Sequence, residues 1–482
     1  MAIDVQTPGS PGWWLWKLSE EQRRRRKTFD EMWARYEGNP KLPEGAESAA
    51  EAYRQFQKKA RSNFAELVVQ AVLERLGLLG FRTSDDQRRR ETTDPTAMAI
   101  WAENQMAVEA DDLTEFFLVM GFGYTITGPP EDDDEDSLPV ITAEDPREVI
   151  TAHDSARPSR VLAGSKIRHN EEDDVDEAFV YLPGEGRDGR AEVWRARRRG
   201  KGTVLGPAFR FAPKGWDWDH LDDGDPLELP VREVPVTRYR NRRGQGEFWA
   251  HTDLLDRIDH MVLQRMVIAT LQAFRQRAVK GLPSKDKDGK EIDYTDIFTA
   301  DPGALWLLPA AAEMWESGQV DLTPILNSVK EDVRHFAALT RTPMSYFNPD
   351  AANGSAEGAS LMREGLVFKA EDRQARLGIG HTRTMGLALR MAGKPELART
   401  ITPLWAPAER FSLAQRYDAG LKAKQQDVPW RTRMLDILQF TPEQVARMEV
   451  ERMQDTLLAP ADRADTDADA AAAGGEFDDI TL

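Results

Sequence analysis

Apolar residues recur with a helical period along two central stretches of the chain, and the gap between them is charged. Across 253–279, Leu254, Ile258, Met261, Ile268 and Leu271 fall on one side of a helix, and Leu255, Val262 and Phe274 widen that stripe. Across 321–340, Leu322, Ile325, Leu326, Val329, Val333, Phe336 and Leu339 do the same. A short strand-like excursion separates the two. A loop rich in glycine and asparagine follows the second, and then another long helical pattern begins. This order predicts paired struts, a small module at one end and a mobile loop at the other.

Upstream, three further helices are expected. Ser19-Glu20-Glu21-Gln22 has the spacing of a capping box, stapled by Leu18, for a helix ending near Tyr36-Glu37-Gly38. Ser48 and Glu51 open a second helix to about Leu79, burying Phe64, Leu67, Val68, Ala71, Val72 and Leu76. A third covers Pro95 to Met120, with Ile100, Trp101, Val108, Leu113, Phe116 and Phe117 in its stripe; Gly121 and Gly123 stop it before a strand at Tyr124–Thr127. Short β-runs then follow at 149–152, 160–168, 177–182, 192–195 and 229–237. The basic run Arg23–Lys27 follows two glutamates, as a solvated helix face does.

Length and charge narrow the class. A chain of 482 residues calls for about three folding units. No apolar run approaches the ~20 residues of a membrane span. The start of the chain, with Trp13, Trp14 and Trp16, lacks the pattern of a secretory signal. Cysteine is absent, which excludes disulfides and thiolate chemistry and fits assembly in a reducing cytoplasm. The net charge of −18, from 64 basic and 82 acidic residues, argues against a broad adhesive surface for nucleic acid. It is compatible with plain solubility, and also with a wall that lets DNA pass without sticking.

Catalytic signatures are missing. Gly200-Lys201-Gly202-Thr203 has the wrong spacing for a phosphate loop, and neither H-E-x-x-H nor G-x-S-x-G occurs. The seven histidines are scattered, with His260 and His335 inside the two strut helices. Asp111-Asp112 belongs to a helix face. The stretch Trp216-Asp217-Trp218-Asp219-His220, continuing through Asp222, Asp223 and Asp225, raises a metal question but lacks calcium-loop order, so a polar loop is expected. Glu131–Asp136 is a uniformly acidic loop. No metal, no cofactor and no enzymatic activity are expected.

Over roughly 15–458 a set of short motifs occurs in a particular order. They include Asn63-Phe64 ahead of Val68-Val69-x-Ala71-Val72, then Gly80-Phe81-Arg82, Trp101-x-x-Asn104 and Gly121-x-Gly123-Tyr124. Asp145-Pro146, Ile258-Asp259 and Gln276-Arg277-x-Val279-x-Gly281 follow. Thr340-x-Thr342-Pro343, Ser355-Ala356-Glu357, Arg363-Glu364-x-Leu366-x-x-Lys369 and Trp405-x-Pro407 complete the set. On these the chain resembles the portal proteins of tailed bacteriophages, of the siphophage type.

The resemblance implies an α+β portal fold and a ring of about twelve subunits around a central channel at one capsid vertex. Such a ring passes double-stranded DNA without reading its sequence. Expected partners are the terminase large subunit, the major capsid and scaffolding proteins, and a head-completion or adaptor protein; no membrane is involved. The place is the virion, after assembly in the host bacterial cytoplasm. Implied parts are a mixed α/β wing over 1–252, a stem helix over 253–279, a small α/β clip over 280–320 and a second stem helix over 321–341. A tunnel loop over 342–358, a long helix and wing return over 359–411, a helical crown over 412–458 and an acidic disordered tail over 459–482 follow.

The same resemblance assigns roles to residues. Ile258, Met261, Ile268, Ile325, Val329 and Val333 belong to the stem and its subunit interface. Lys285, Lys287, Tyr294, Trp306 and Leu308 belong to the clip that meets terminase or connector, with Leu305–Leu308 as a strand against a neighbouring clip. Pro343, Tyr346, Phe347, Asn348, Asn353 and Gly354 belong to the DNA tunnel loop, which carries Asp350 and Glu357 but no lysine or arginine. The alternative is a capsid-associated adaptor or scaffold of other symmetry, without a DNA channel.

Overall fold

The computed structural model describes residues 3–458 except 44–50, 84–92, 131–136, 186–188, 220–225, 274–276, 286–287, 293–312, 349–355, 410–412 and positions 201, 203, 205, 207, 317 and 319. The expected acidic loop at 131–136, the strand at 305–308 and the tail at 459–482 therefore lie outside the described residues. The fold is mixed α+β. Helix α1 (Pro11–Tyr36) begins at Ser10, whose Oγ accepts from the Trp13 amide at 3.2 Å, with Pro11 in the first turn. The capping box expected at Ser19 is thus overturned: Ser19 is mid-helix and its hydroxyl donates to the Trp16 carbonyl at 2.8 Å. The arginine run on α1 is taken up by its own helix, Arg23 with Glu20 at 2.9 Å, Arg25 with Glu21 at 2.9 Å and Arg26 with Asp30 at 3.2 Å.

The two other expected helices each break. The stretch to Leu79 becomes α2 (Glu51–Lys59), α3 (Phe64–Leu73) and a strand, β1 (Leu78–Arg82). The stretch from Pro95 becomes α4 (Pro95–Glu103) and α5 (Met106–Met120), because Gln105 takes a left-handed backbone at φ 50°. Asn104 explains the break. Its side chain accepts from the Ile141 amide at 2.7 Å and donates to the Pro139 carbonyl at 2.9 Å, so the helix ends where this residue docks a neighbouring strand.

Gly121 closes α5 at φ 78°, and β2 (Phe122–Gly128) follows at once. It is the middle strand of a three-stranded antiparallel sheet with β3 (Val140–Glu144) and the later β10 (Val236–Arg240). A larger antiparallel sheet runs β4 (Val149–His153), β5 (Val161–Asn170), β6 (Val175–Leu182) and β7 (Ala191–Arg199), with β8 (Asp217–Asp219) and β9 (Leu227–Leu229) both paired to β7. Within the polar loop expected from Trp216 to Asp225, Asp217–Asp219 form a strand, and 220–225 lie outside the described residues. Trp216 is buried against Phe211 with the Arg198 guanidinium 4.7 Å over its ring, and Trp218 meets Trp194 edge-on at 5.5 Å.

Helix α6 (Thr252–Ala273), β11 (Arg277–Lys280), β12 (Glu313–Glu316), α7 (Thr323–Thr340) and α8 (Ala356–Met391) follow. The first strut, expected to stay helical to Val279, ends at Ala273, and Arg277–Lys280 pairs with β12 as a strand. Helix α8 spans roughly 54 Å at the rise of an α-helix. Its Leu366, Ala370 and Leu377 enter a core with Phe117, Phe248, Ile258 and Phe336, while Met385, Ala388 and Leu389 enter a second with Phe81, Ile100 and Trp101. Gly380 allows this passage, since any side chain there would strike the Tyr239 ring of β10. Strand β13 (Thr402–Trp405) pairs with β1, and α9 (Leu413–Gln425), a short α10 (Trp430–Thr432) and α11 (Pro442–Leu458) end the described chain.

Candidate functional site: the helical hairpin and the polar joint at its base

Helices α6 and α7 form an antiparallel hairpin. Near its base the Arg257 guanidinium grips Asp332 through two bonds of 3.0 and 2.7 Å, and near its tip Gln272 donates to the Val320 carbonyl at 2.9 Å. Burial differs sharply between its faces and along its length. At the base Ile258 and Phe336 are sealed in the core. Met261, Ile268, Ile325, Val329 and Val333 are only half-buried, and Leu339 and Val320 are 57% and 51% exposed. The stripe is therefore wider than the pair can cover by itself.

The two-stranded β11–β12 ladder sits at the tip, with Ala278 opposite Trp315, and Trp315 is 58% exposed. Beyond it the backbones of Lys285 and Glu291 pair in an isolated antiparallel β-bridge. Lys287, Tyr294, Trp306 and Leu308 lie outside the described residues.

The connection after α7 is partly anchored. Arg341 turns the chain at φ 54°, and the Thr342 amide returns to the Ala337 carbonyl at 2.9 Å. Pro343 is buried. The Tyr346 hydroxyl donates to Glu74 at 3.3 Å, and the Phe347 ring lies 5.7 Å from Phe64 and 6.0 Å from Phe336. The loop expected to be mobile from Pro343 onward is thus held at its start. Asn348 is exposed, Asn353 and Gly354 lie outside the described residues, and α8 has begun by Ala356.

Sequence reasoning missed the joint at the base of the hairpin. Glu247, just before α6, is 2% exposed in its side chain and receives Lys369 Nζ at 2.9 Å, Arg373 Nε at 2.6 Å and Arg373 Nη2 at 3.0 Å. Asn241 Nδ2 donates to the same carboxylate at 2.9 Å. Lys369 Nζ also donates to the Thr340 carbonyl at 3.0 Å, in the last turn of α7. One lysine on α8 thereby ties the segment entering α6 to the segment leaving α7. Burial pushes the Glu247 carboxyl up, but Lys369, Arg373 and Asn241 outweigh it and hold the group at about 2. The available signal was Lys369 and Arg373, four residues apart among the apolar positions Leu366, Ala370 and Leu377; buried cations at that spacing demand a buried acid.

A second buried acid lies nearby on α6. Asp259 accepts from the Ser62 amide at 2.8 Å, where α2 and α3 break, yet burial pushes its carboxyl up to about 6. A raised carboxyl favours the fold most below its unfolded value of 3.8 and opposes it increasingly as pH rises to about 6. Asp259→Asn keeps an acceptor for Ser62 and removes the buried charge. We expect it to raise stability above pH 6 by on the order of 1–2 kcal/mol, with no gain below about pH 4. Thermal midpoints across that range test this; a pH-independent difference would contradict it.

Among the described residues, no group of three or more His, Asp or Glu could hold a metal ion. Asp219 is paired with Arg195 at 2.5 Å and Arg197 at 3.3 Å, while Asp222, Asp223 and Asp225 lie outside the described residues. No described helix is long and apolar enough to cross a membrane. No protein-family model matches the chain, and no curated protein matches it. Among solved structures it is similar to a chain described as the neck of an empty GTA particle computed with C6 symmetry, at 12% identity and a TM-score of 0.40, covering 81% of this chain and 94% of that one.

Proposed function

We propose that this chain is a portal-type subunit: a ring-forming, non-enzymatic protein whose channel passes double-stranded DNA into a phage head during packaging and out again at ejection. The observation that carries this is the hairpin. Two long helices leave a mixed α+β body, bear a small strand module at their tip and keep an apolar stripe that one copy leaves half-covered. Neighbouring copies arranged side by side would cover it. In this assignment the module over 280–320 meets the terminase and later a head-completion protein, and the connection after Asn348 reaches toward DNA.

Electron microscopy of the purified protein provides the test. Closed rings of about twelve copies with a central hole are expected. Monomers, or compact assemblies without a hole, would instead favour an adaptor or scaffold of other symmetry.

A further inference from the structure

A cavity of about 380 Å³ opens beside the joint, walled by the turn before α6, the end of α7 and one face of α8. Its charge is lopsided. The two carboxylates among its described lining residues are already engaged, Glu247 by Lys369 and Arg373, and Asp372 by Arg373 and Arg376. Arg242, Arg243 and Arg341 also line it, and no carboxylate among the described residues pairs with any of them. Three exposed arginines with no described carboxylate partner thus line one concavity in a chain of net charge −18.

The backbone adds a second, independent sign. Arg243 and Arg341 both sit in the left-handed region, at φ 58° and 54°, where a side chain costs roughly 1 kcal/mol or more and glycine would not. Two such positions facing one cavity from separate segments, both holding arginine, run against local preference. Beneath them Gly246 approaches the Val119 carbonyl so closely that no side chain would fit, which fixes the turn carrying Arg242 and Arg243. The exposed rings and methyls of Phe368 and Leu339 wall the rim with apolar surface and strengthen the field inside.

We propose that this cavity binds a phosphate-class oxyanion through Arg242, Arg243 and Arg341, with Lys369 behind them. Guanidinium forks match tetrahedral oxyanions in geometry as well as charge. The phosphate could belong to a nucleic-acid backbone or to a free anion, and the two sources are separable. All the lining arginines come from one chain, so rings that bind no phosphate would overturn this proposal alone.

The test is calorimetric titration of the full chain with inorganic phosphate at fixed ionic strength, chloride being the compensating ion. The variants are Arg243→Gly and Arg341→Gly, which remove the charge while relaxing the backbone and leave the Glu247 joint untouched. Saturable binding is expected, weakened about tenfold by each substitution. Competition by a short DNA duplex would assign the phosphate to a strand; saturable phosphate binding without competition would assign it to a free anion. Absence of saturable binding, or equal affinity in the glycine variants, overturns the site.

Discussion

Glu247→Gln is expected to lower the stability of the folded chain by about 3–5 kcal/mol, the largest single-residue effect at the joint. The carboxylate lies within 3.0 Å of three donor nitrogens on Lys369 and Arg373, and removing its charge leaves the buried Lys369 with no carboxylate partner and Arg373 with Asp372 alone. Lys369 would also lose the partner that holds it against the Thr340 carbonyl, so the ends of α6 and α7 should loosen together. The pH dependence follows from the depressed carboxyl. A group with an unfolded value of 4.5 and a folded value of about 2 contributes its full stabilisation above pH 4.5 and loses it as pH falls toward 2. Wild type should therefore show an acid-induced loss in that window that Glu247→Gln lacks. Urea midpoints followed by far-ultraviolet circular dichroism at pH 7 and pH 3 measure both effects. Equal midpoints at pH 7 would mean that the joint is not what holds the hairpin to the body.

The hairpin was legible in the sequence because its signal is local: apolar residues at a helical period over many turns leave few alternatives. The ion cluster was not, because Glu247 and Arg373 are separated by 126 positions and neither belongs to a motif. Helix ends were misread where tertiary contacts override local pattern. Asn104 breaks a helix to dock β3, and Ser62 sits in the α2–α3 break to meet Asp259 on α6; neither signal is visible in a window of ten residues. Ser19 had the spacing of a cap, but Ser10 followed by Pro11 captured the helix start a little over two turns earlier. At 216–219 tryptophan alternates with aspartate, a strand pattern realised at Asp217–Asp219 with Trp216 buried beside it, whereas the acidic composition favours a polar loop. Phe347 illustrates the same limit in a loop: composition suggested mobility, whereas Phe64 and Phe336 hold its ring.

Ile325→Asp together with Val329→Asp is expected to abolish ring formation while leaving each chain folded. Both side chains are half-buried in a single copy, Ile325 away from the core and Val329 at its edge, so an aspartate at either position can turn toward water. In the proposed ring, neighbouring copies would exclude that water, and an unpaired carboxylate there would cost several kcal/mol in every contact around it. The contrast is Ile258→Asp, at a side chain sealed within the core of one copy, which should destroy the fold itself. Mass photometry and circular dichroism separate the cases. The double variant should give monomers with wild-type helicity, and Ile258→Asp should lose helicity or aggregate. Rings of wild-type size from the Ile325/Val329 variant would show that this face of α7 is not where copies meet, and the half-covered stripe would need another occupant.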